Sequence, residues 1–219
     1  MSQLIFKFPF KTKYYEQDYY VSSNNFSAYR LIESWPRWPD KWVNIFGPKG
    51  CGKTHLSNIL KKKIQKVKII DAKNIDNETI AEFDKLECMI IDNYNSNINE
   101  EILYSILNQS KQLDRFVVIN SILSIKSMKL NLNDLKSRTD GFVSLGIELP
   151  TDDLLKVIVS KFFSDRQLDV SPKVSEFIIK NIERSYEKVF KFIKEIDDLS
   201  LSSGKSININ LIKKVLTDE

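Results

Sequence analysis

GPKGCGKT, Gly47 to Thr54, decides how the rest of the chain is read. It follows a short apolar run, Trp42-Val43-Asn44-Ile45-Phe46, that reads as a buried strand. Beyond it Leu56, Ile59, Leu60 and Ile64 recur at helical spacing with lysines between them. Strand, glycine-rich loop and helix is the context a phosphate-binding loop requires. Gly47, Gly50 and Gly52 let the backbone turn sharply and bring N–H groups against phosphate oxygens. Pro48, Lys49 and Cys51 complete the loop. Lys53 supplies a point charge for β- and γ-phosphates, and the Thr54 hydroxyl is a candidate magnesium ligand. The N-terminus of the following helix adds its dipole. The stretch predicts a nucleotide site.

Composition sets wider bounds. At 219 residues and 42% hydrophobic, the chain can bury a core as one large domain or two unequal ones. A net charge of +4, with both signs interspersed, neither demands nor excludes nucleic acid. Cys51 in the loop and Cys88 at the start of a strand form no disulfide framework and suit a reducing cytosol. There is no apolar run of about 18 residues, and Met1 to Phe10 does not read as a signal peptide. The expectation is a soluble, cytoplasmic protein without a membrane partner.

Residues 1–23 carry Phe6, Phe8, Phe10, Tyr14, Tyr15, Tyr19 and Tyr20 without a helical period, so they either pack along the domain or dock on a partner. Asn24 or Asn25 is expected to cap a helix through Phe26, Tyr29, Leu31 and Ile32 that ends before Pro36. Strands are predicted at 67–70, 88–92, 116–119 and 142–147, with helices at 77–83, 99–113 and 132–137 between them. That alternation implies an α/β domain with a parallel sheet sandwiched by helices. From Thr151 the pattern is helical only, at 152–164, 172–183, 186–201 and 208–216. The expected organisation is therefore 1–23 as a leading peptide and linker, 24–150 as the α/β nucleotide domain, and 151–219 as a small all-α domain.

Met89-Ile90-Ile91-Asp92 fits the hydrophobic strand whose terminal Asp holds magnesium in P-loop enzymes, making Thr54 and Asp92 the candidate metal pair. The next position usually carries a second carboxylate that polarises the attacking water. Here it is Asn93, an amide that cannot act as a base at neutral pH. Binding should survive while intrinsic hydrolysis is slow. Asn120, ending the following strand, is placed to sense a γ-phosphate or that water; an ordinary turn asparagine is the competing reading.

GPKGCGKTHL, MIIDN, Asn131 to Phe142 (NLNDLKSRTDGF) and the four-helix tail together resemble the AAA+ family in its DnaA branch, from about Asp18 to Leu216. The resemblance implies an AAA+ fold with a helical lid, ADP or ATP with Mg2+ as cofactors, and DnaA as partner. The chain stops at Glu219, before the helix-turn-helix domain with which DnaA reads double-stranded DNA, so no direct sequence-specific DNA binding is expected. That truncation and Asp92-Asn93 are similar to the Hda group of regulatory DnaA relatives, which begin with a peptide that binds the sliding clamp. Gln3, Leu4, Phe6 and Phe8 match that peptide: Gln3 would bond at a pocket rim while the apolar residues fill a groove. Packing of the same residues on their own domain is the alternative.

Arg138 matches the family's arginine finger, which neutralises charge on a neighbour's γ-phosphate; a simple surface salt bridge is the competing reading. His55 belongs to the GKTHL run of the nucleotide site and is read as structural. The position of the lid arginine that senses nucleotide falls on Glu187, with Lys188 or Arg184 as substitutes. The leading expectation is a clamp-bound regulator with a weak ATPase of its own that promotes hydrolysis of DnaA-bound ATP. A helicase-loader-like remodelling ATPase and a non-enzymatic adaptor are the alternatives, and the sequence leaves a homo-oligomer open.

Overall fold

Five apolar runs become strands: β1 (Trp42–Phe46), β2 (Val67–Asp71), β3 (Cys88–Tyr94), β4 (Phe116–Ser121) and β5 (Val143–Gly146). The computed structural model describes residues 14–95, 97–166, 170–203 and 207–217, so Gln3, Leu4, Phe6 and Phe8 lie outside the described residues. The strands form one parallel sheet in the order β2-β3-β4-β1-β5. Parallel strands need long crossovers, which α1 (Phe26–Glu33), α2 (Lys53–Lys63), α3 (Asn77–Phe83), α4 (Glu100–Leu113) and α5 (Asn133–Thr139) supply or flank. The chain divides into this unit, Tyr14–Glu148, and a helical unit from Leu149 onward.

Side-chain parity decides what each face of the sheet does. Met89, Ile91, Val117 and Ile119 pack with Phe83, Leu103, Ile106, Leu107 and Leu135 of α3, α4 and α5 in one core. The alternate positions carry Val43, Ile45, Ile90 and Val118, all fully buried, to the other face. That second face is the one α2 covers, because Asn120 bonds Ser57 of α2 across it. Asp92 and Asn120 share its parity. Strand period alone therefore sends both polar residues toward the loop that opens α2.

Most helix starts follow the sequence signals. Asp76 and Thr79 form a capping box at α3, and Asn99 accepts from the backbone N–H groups of Glu101 and Ile102 at α4. Asn25 precedes α1 as expected but does not cap it. Its amide accepts from Ser22 N at 2.9 Å and donates to Tyr20 O at 2.9 Å, closing the preceding turn instead.

The helical unit comprises α6 (Asp152–Asp165), α7 (Pro172–Asn181), α8 (Tyr186–Ser203) and α9 (Ile209–Thr217). Leu155, Val159, Phe163, Ile178, Val189, Phe192, Ile193, Ile196 and Ile212 make its core. Thr151 caps α6 through Leu154 N, and Pro172 opens α7, where its missing N–H costs nothing. Arg166 pairs with Asp197 at 2.7 Å and lies over the Phe162 ring, which ties the end of α6 to α8. Among the described residues no helix is long and apolar enough to cross a membrane.

Candidate functional site

The glycine-rich loop leaves the end of β1 and is tied to β4 by Gly47 N donating to Ser121 O at 3.2 Å. At two of the loop's glycines, backbone angle and lack of space together exclude a side chain. Gly47 has φ +154, and a Cβ there would lie 2.5 Å from the Ile147 carbonyl oxygen. Gly52 has φ +98, and a Cβ there would lie 2.9 Å from the Tyr19 ring. The Lys53 ammonium donates to Gly47 O at 2.8 Å and Pro48 O at 2.9 Å, inside the curve of the loop. A phosphate oxygen placed there competes with those carbonyls for the same charge. Burial pushes the Cys51 thiol up, against the opposing pull of Lys53, so the loop holds a neutral thiol.

A second group closes on Asp92 at the end of β3. Its carboxylate accepts from Thr54 Oγ1 at 2.7 Å, Asn120 Nδ2 at 3.0 Å and Asn93 N at 3.1 Å. Asn120 also donates to Ser57 Oγ at 2.7 Å. Asn120 is fully buried, and its Oδ1 has no partner among the described residues. A buried amide oxygen without a donor is costly, so this atom marks where a donor such as a bound water fits. Thr54 and Asp92 offer the hard oxygen donors magnesium takes. Among the described residues no group of three His, Cys, Asp or Glu could hold a metal by itself.

Asn93 sits on a bulge between Ile91 and Tyr94, at φ +61. That geometry turns its amide to Asp71, where Nδ2 donates to Oδ2 at 2.9 Å. The Asn93 bond, with a lesser one from Lys73 N, holds the Asp71 carboxyl below its ordinary pKa. Sequence reading missed Asp71, although Ile-Ile-Asp occurs in both β2 and β3 and the two aspartates stand in register. It also missed Asn44, which donates to Ile119 O and Ser121 Oγ at 2.9 Å each and accepts from Ile125 N at 2.9 Å. Asn44 thereby fixes the turn after Asn120 from the far face of the sheet.

His55 faces away from this chemistry. Its Nε2 lies 2.6 Å from Tyr15 O, and Tyr14 and Tyr19 pack edge-on against its ring at 5.3 and 5.2 Å. Those contacts seat the Tyr14–Tyr19 segment on α2. Pro48 is half-buried and Lys49 exposed at the loop's crest. Arg138 belongs to a separate group on α5, over the Tyr104 ring. Lys188 and Glu187 lie exposed at the start of α8; Lys188 is 4.0 Å from Glu183, and Arg184 pairs with Asp152 at 3.1 Å.

Asn93→Asp would set a second carboxylate against Asp71, and two like charges at that separation cannot both ionise freely. The pair's folded pKa then exceeds its unfolded value. Its stability contribution is fully present at low pH and lost as pH rises through the folded pKa. Urea unfolding should show a deficit against wild type at pH 7 that shrinks toward about pH 4. The swap Asp71→Asn with Asn93→Asp should remove the deficit. A deficit unchanged across that range would mean the two side chains are not adjacent.

Comparison with known proteins adds the family. A family model described as "Hda, lid domain" matches residues 157–216, and one described as "RNA helicase" matches 43–144. The replication initiator DnaA of Buchnera aphidicola subsp. Baizongia pistaciae is 27% identical, over 100% of this chain and 53% of that protein. The chain spans about half the length of the curated DnaA relatives it matches. Domain III of Thermotoga maritima DnaA superposes with a TM-score of 0.79 at 19% identity, covering 96% of this chain and 98% of that one. AMPPCP-bound DnaA from Aquifex aeolicus gives 0.70 at 19% identity, covering 87% and 67%. With a five-stranded parallel sheet, a P-loop at its carboxyl edge and a lid of the Hda type, the chain is a DnaA-related AAA+ protein.

Proposed function

We propose that this protein is a regulator of replication initiation that binds adenine nucleotide, docks on the sliding clamp and promotes hydrolysis of ATP held by DnaA. One observation carries the reading: Thr54, Asp92 and Asn120 converge beside the phosphate loop, while the next position holds an amide turned to Asp71. This arrangement suits retention of a nucleotide and lacks the base its hydrolysis needs. The AMPPCP complex of a DnaA with the same fold supports adenine nucleotide as the ligand.

In the proposed site the loop N–H groups and Lys53 take the phosphates. Thr54 Oγ1 and Asp92 would hold magnesium, which when bound neutralises charge on the β- and γ-phosphate oxygens. The Asn120 amide would orient a water through its partnerless Oδ1. Asn93 donates and accepts hydrogen bonds but takes no proton, so water is oriented without being activated. Intrinsic turnover is then slower than about one per second, near the low end for enzymes. Arg138 would supply the missing charge to the neighbour's nucleotide, in trans. Gln3, Leu4, Phe6 and Phe8 would hold the protein on the clamp by an extended-peptide contact.

Glu187 favours a second reading, an adaptor whose nucleotide only stabilises the fold. By the family resemblance it stands where a lid arginine that senses nucleotide is expected, and a carboxylate cannot supply that positive charge.

Single-turnover hydrolysis by ATP-loaded DnaA, with this protein and DNA-loaded clamp each omitted in turn, separates the two. The regulator accelerates DnaA only with the clamp present, and Arg138→Ala abolishes the effect while nucleotide affinity is kept. A finger arginine acting directly is worth a factor of about 10³ to 10⁵. Full stimulation by folded Arg138→Ala would make the protein a positioning adaptor.

The anchor has its own test. Gln3→Ala with Leu4→Ala should remove clamp binding in surface plasmon resonance without moving the melting temperature. A variant that melts several degrees lower and still binds the clamp would assign these residues to the protein's own core.

A further inference from the structure

Arg138 lies in the last turn of α5, half-buried, with its guanidinium carbon 4.8 Å from the centroid of the Tyr104 ring on α4. The Asn108 amide and the Arg138 guanidinium both approach the Tyr104 hydroxyl as donors, and in that order they hold its pKa below the ordinary phenol value. The same helix fixes the other end of α5. Glu100, in the first turn of α4, accepts from Asn131 N at 2.9 and 3.0 Å and from Leu132 N at 2.6 Å, at the entry to α5. Glu100, Tyr104 and Asn108 recur every four residues and so share one face of α4. One helix therefore grips α5 by a carboxylate where it begins and by a phenol where it ends, with Leu135 buried between them.

This grip leaves the arginine usable. The ring covers part of a guanidinium that carries five N–H donors. Arg138 is only half-buried, so it keeps donors that a phosphate can meet. A free arginine would have to give up its rotamer freedom on meeting the phosphate, whereas a stacked one has already done so.

We propose that Tyr104 is a positioning residue that holds Arg138 ready for a neighbouring protein's nucleotide, with Glu100 fixing the helix that carries it. The inference rests on Arg138 acting in trans, as set out above. Tyr104 itself touches no phosphate.

Two variants and two readouts test it. Tyr104→Phe keeps the ring, and Tyr104→Leu removes it. The first readout is the NMR order parameter of the Arg138 Nε–Hε group in the isolated protein, which needs no partner. It should stay high in wild type and Tyr104→Phe and fall in Tyr104→Leu. The second is stimulated single-turnover hydrolysis by ATP-loaded DnaA on DNA-loaded clamp, measured against concentration. Tyr104→Phe should keep the maximal rate within about threefold, and Tyr104→Leu should lower it by about ten- to a hundredfold at an unchanged half-saturating concentration. An unchanged order parameter and rate in Tyr104→Leu overturn the proposal. So does a rate lost equally in Tyr104→Phe and Tyr104→Leu, because the ring would then not be the active part. If Tyr104→Leu loosens Arg138 while Arg138→Ala still stimulates fully, the trans-acting finger has failed and the contact only braces α5.

Discussion

A buried carboxylate at the end of a strand must be paired, and in this protein the pairing of Asp92 organises the whole carboxyl edge of the sheet. Its donors come from three elements: Thr54 from α2, Asn120 from β4, and the backbone of Asn93 on the bulge that ends β3. Hydrogen bonds to a charged group contribute about 1.5–3 kcal/mol each, and removing one leaves a desolvated charge behind. The strand order places β4 between β1 and β3, so Asn120 bridges Ser57 of α2 and Asp92. Asn44 braces that bridge from the opposite face. The site is thus held by the sheet's own register.

The same edge underlies the proposal that nucleotide is bound here but hydrolysed slowly. Asn93 and Asp71 form a neutral–anionic pair across adjacent strands. The bulge at φ +61 suits asparagine, which tolerates the left-handed region better than most residues. The Asp71 carboxylate satisfies the amide and is itself occupied by it.

Much of this was legible in the sequence, for specific reasons. GPKGCGKT between an apolar run and a helical period predicts strand, loop and helix, and the structure has β1, loop and α2 there. Alternating elements followed by helices alone predict a parallel sheet and a separate helical unit, both present. Asp92 and Asn120 read as polar residues closing apolar runs, and strand parity brings them together. Other features depend on contacts that no local pattern encodes. Asp71 acts through a bulge that redirects Asn93, Asn44 through a turn far along the chain, and Tyr104 through the way α4 lies against α5. Asn25 shows the limit of cap signals: its residue type suits a cap, but its amide bonds a donor and an acceptor of the preceding turn instead.

The central claim is that nucleotide is held here and hydrolysed in the neighbour. It is tested most directly by placing labelled ATP in only one of the two proteins. With DnaA carrying the label and this protein carrying unlabelled nucleotide, the account predicts rapid release of labelled phosphate on clamp-loaded DNA. With the label exchanged into this protein, phosphate should appear at the slow intrinsic rate, below about one per second. Rapid hydrolysis of the label held here, with DnaA's label left intact, would contradict the account.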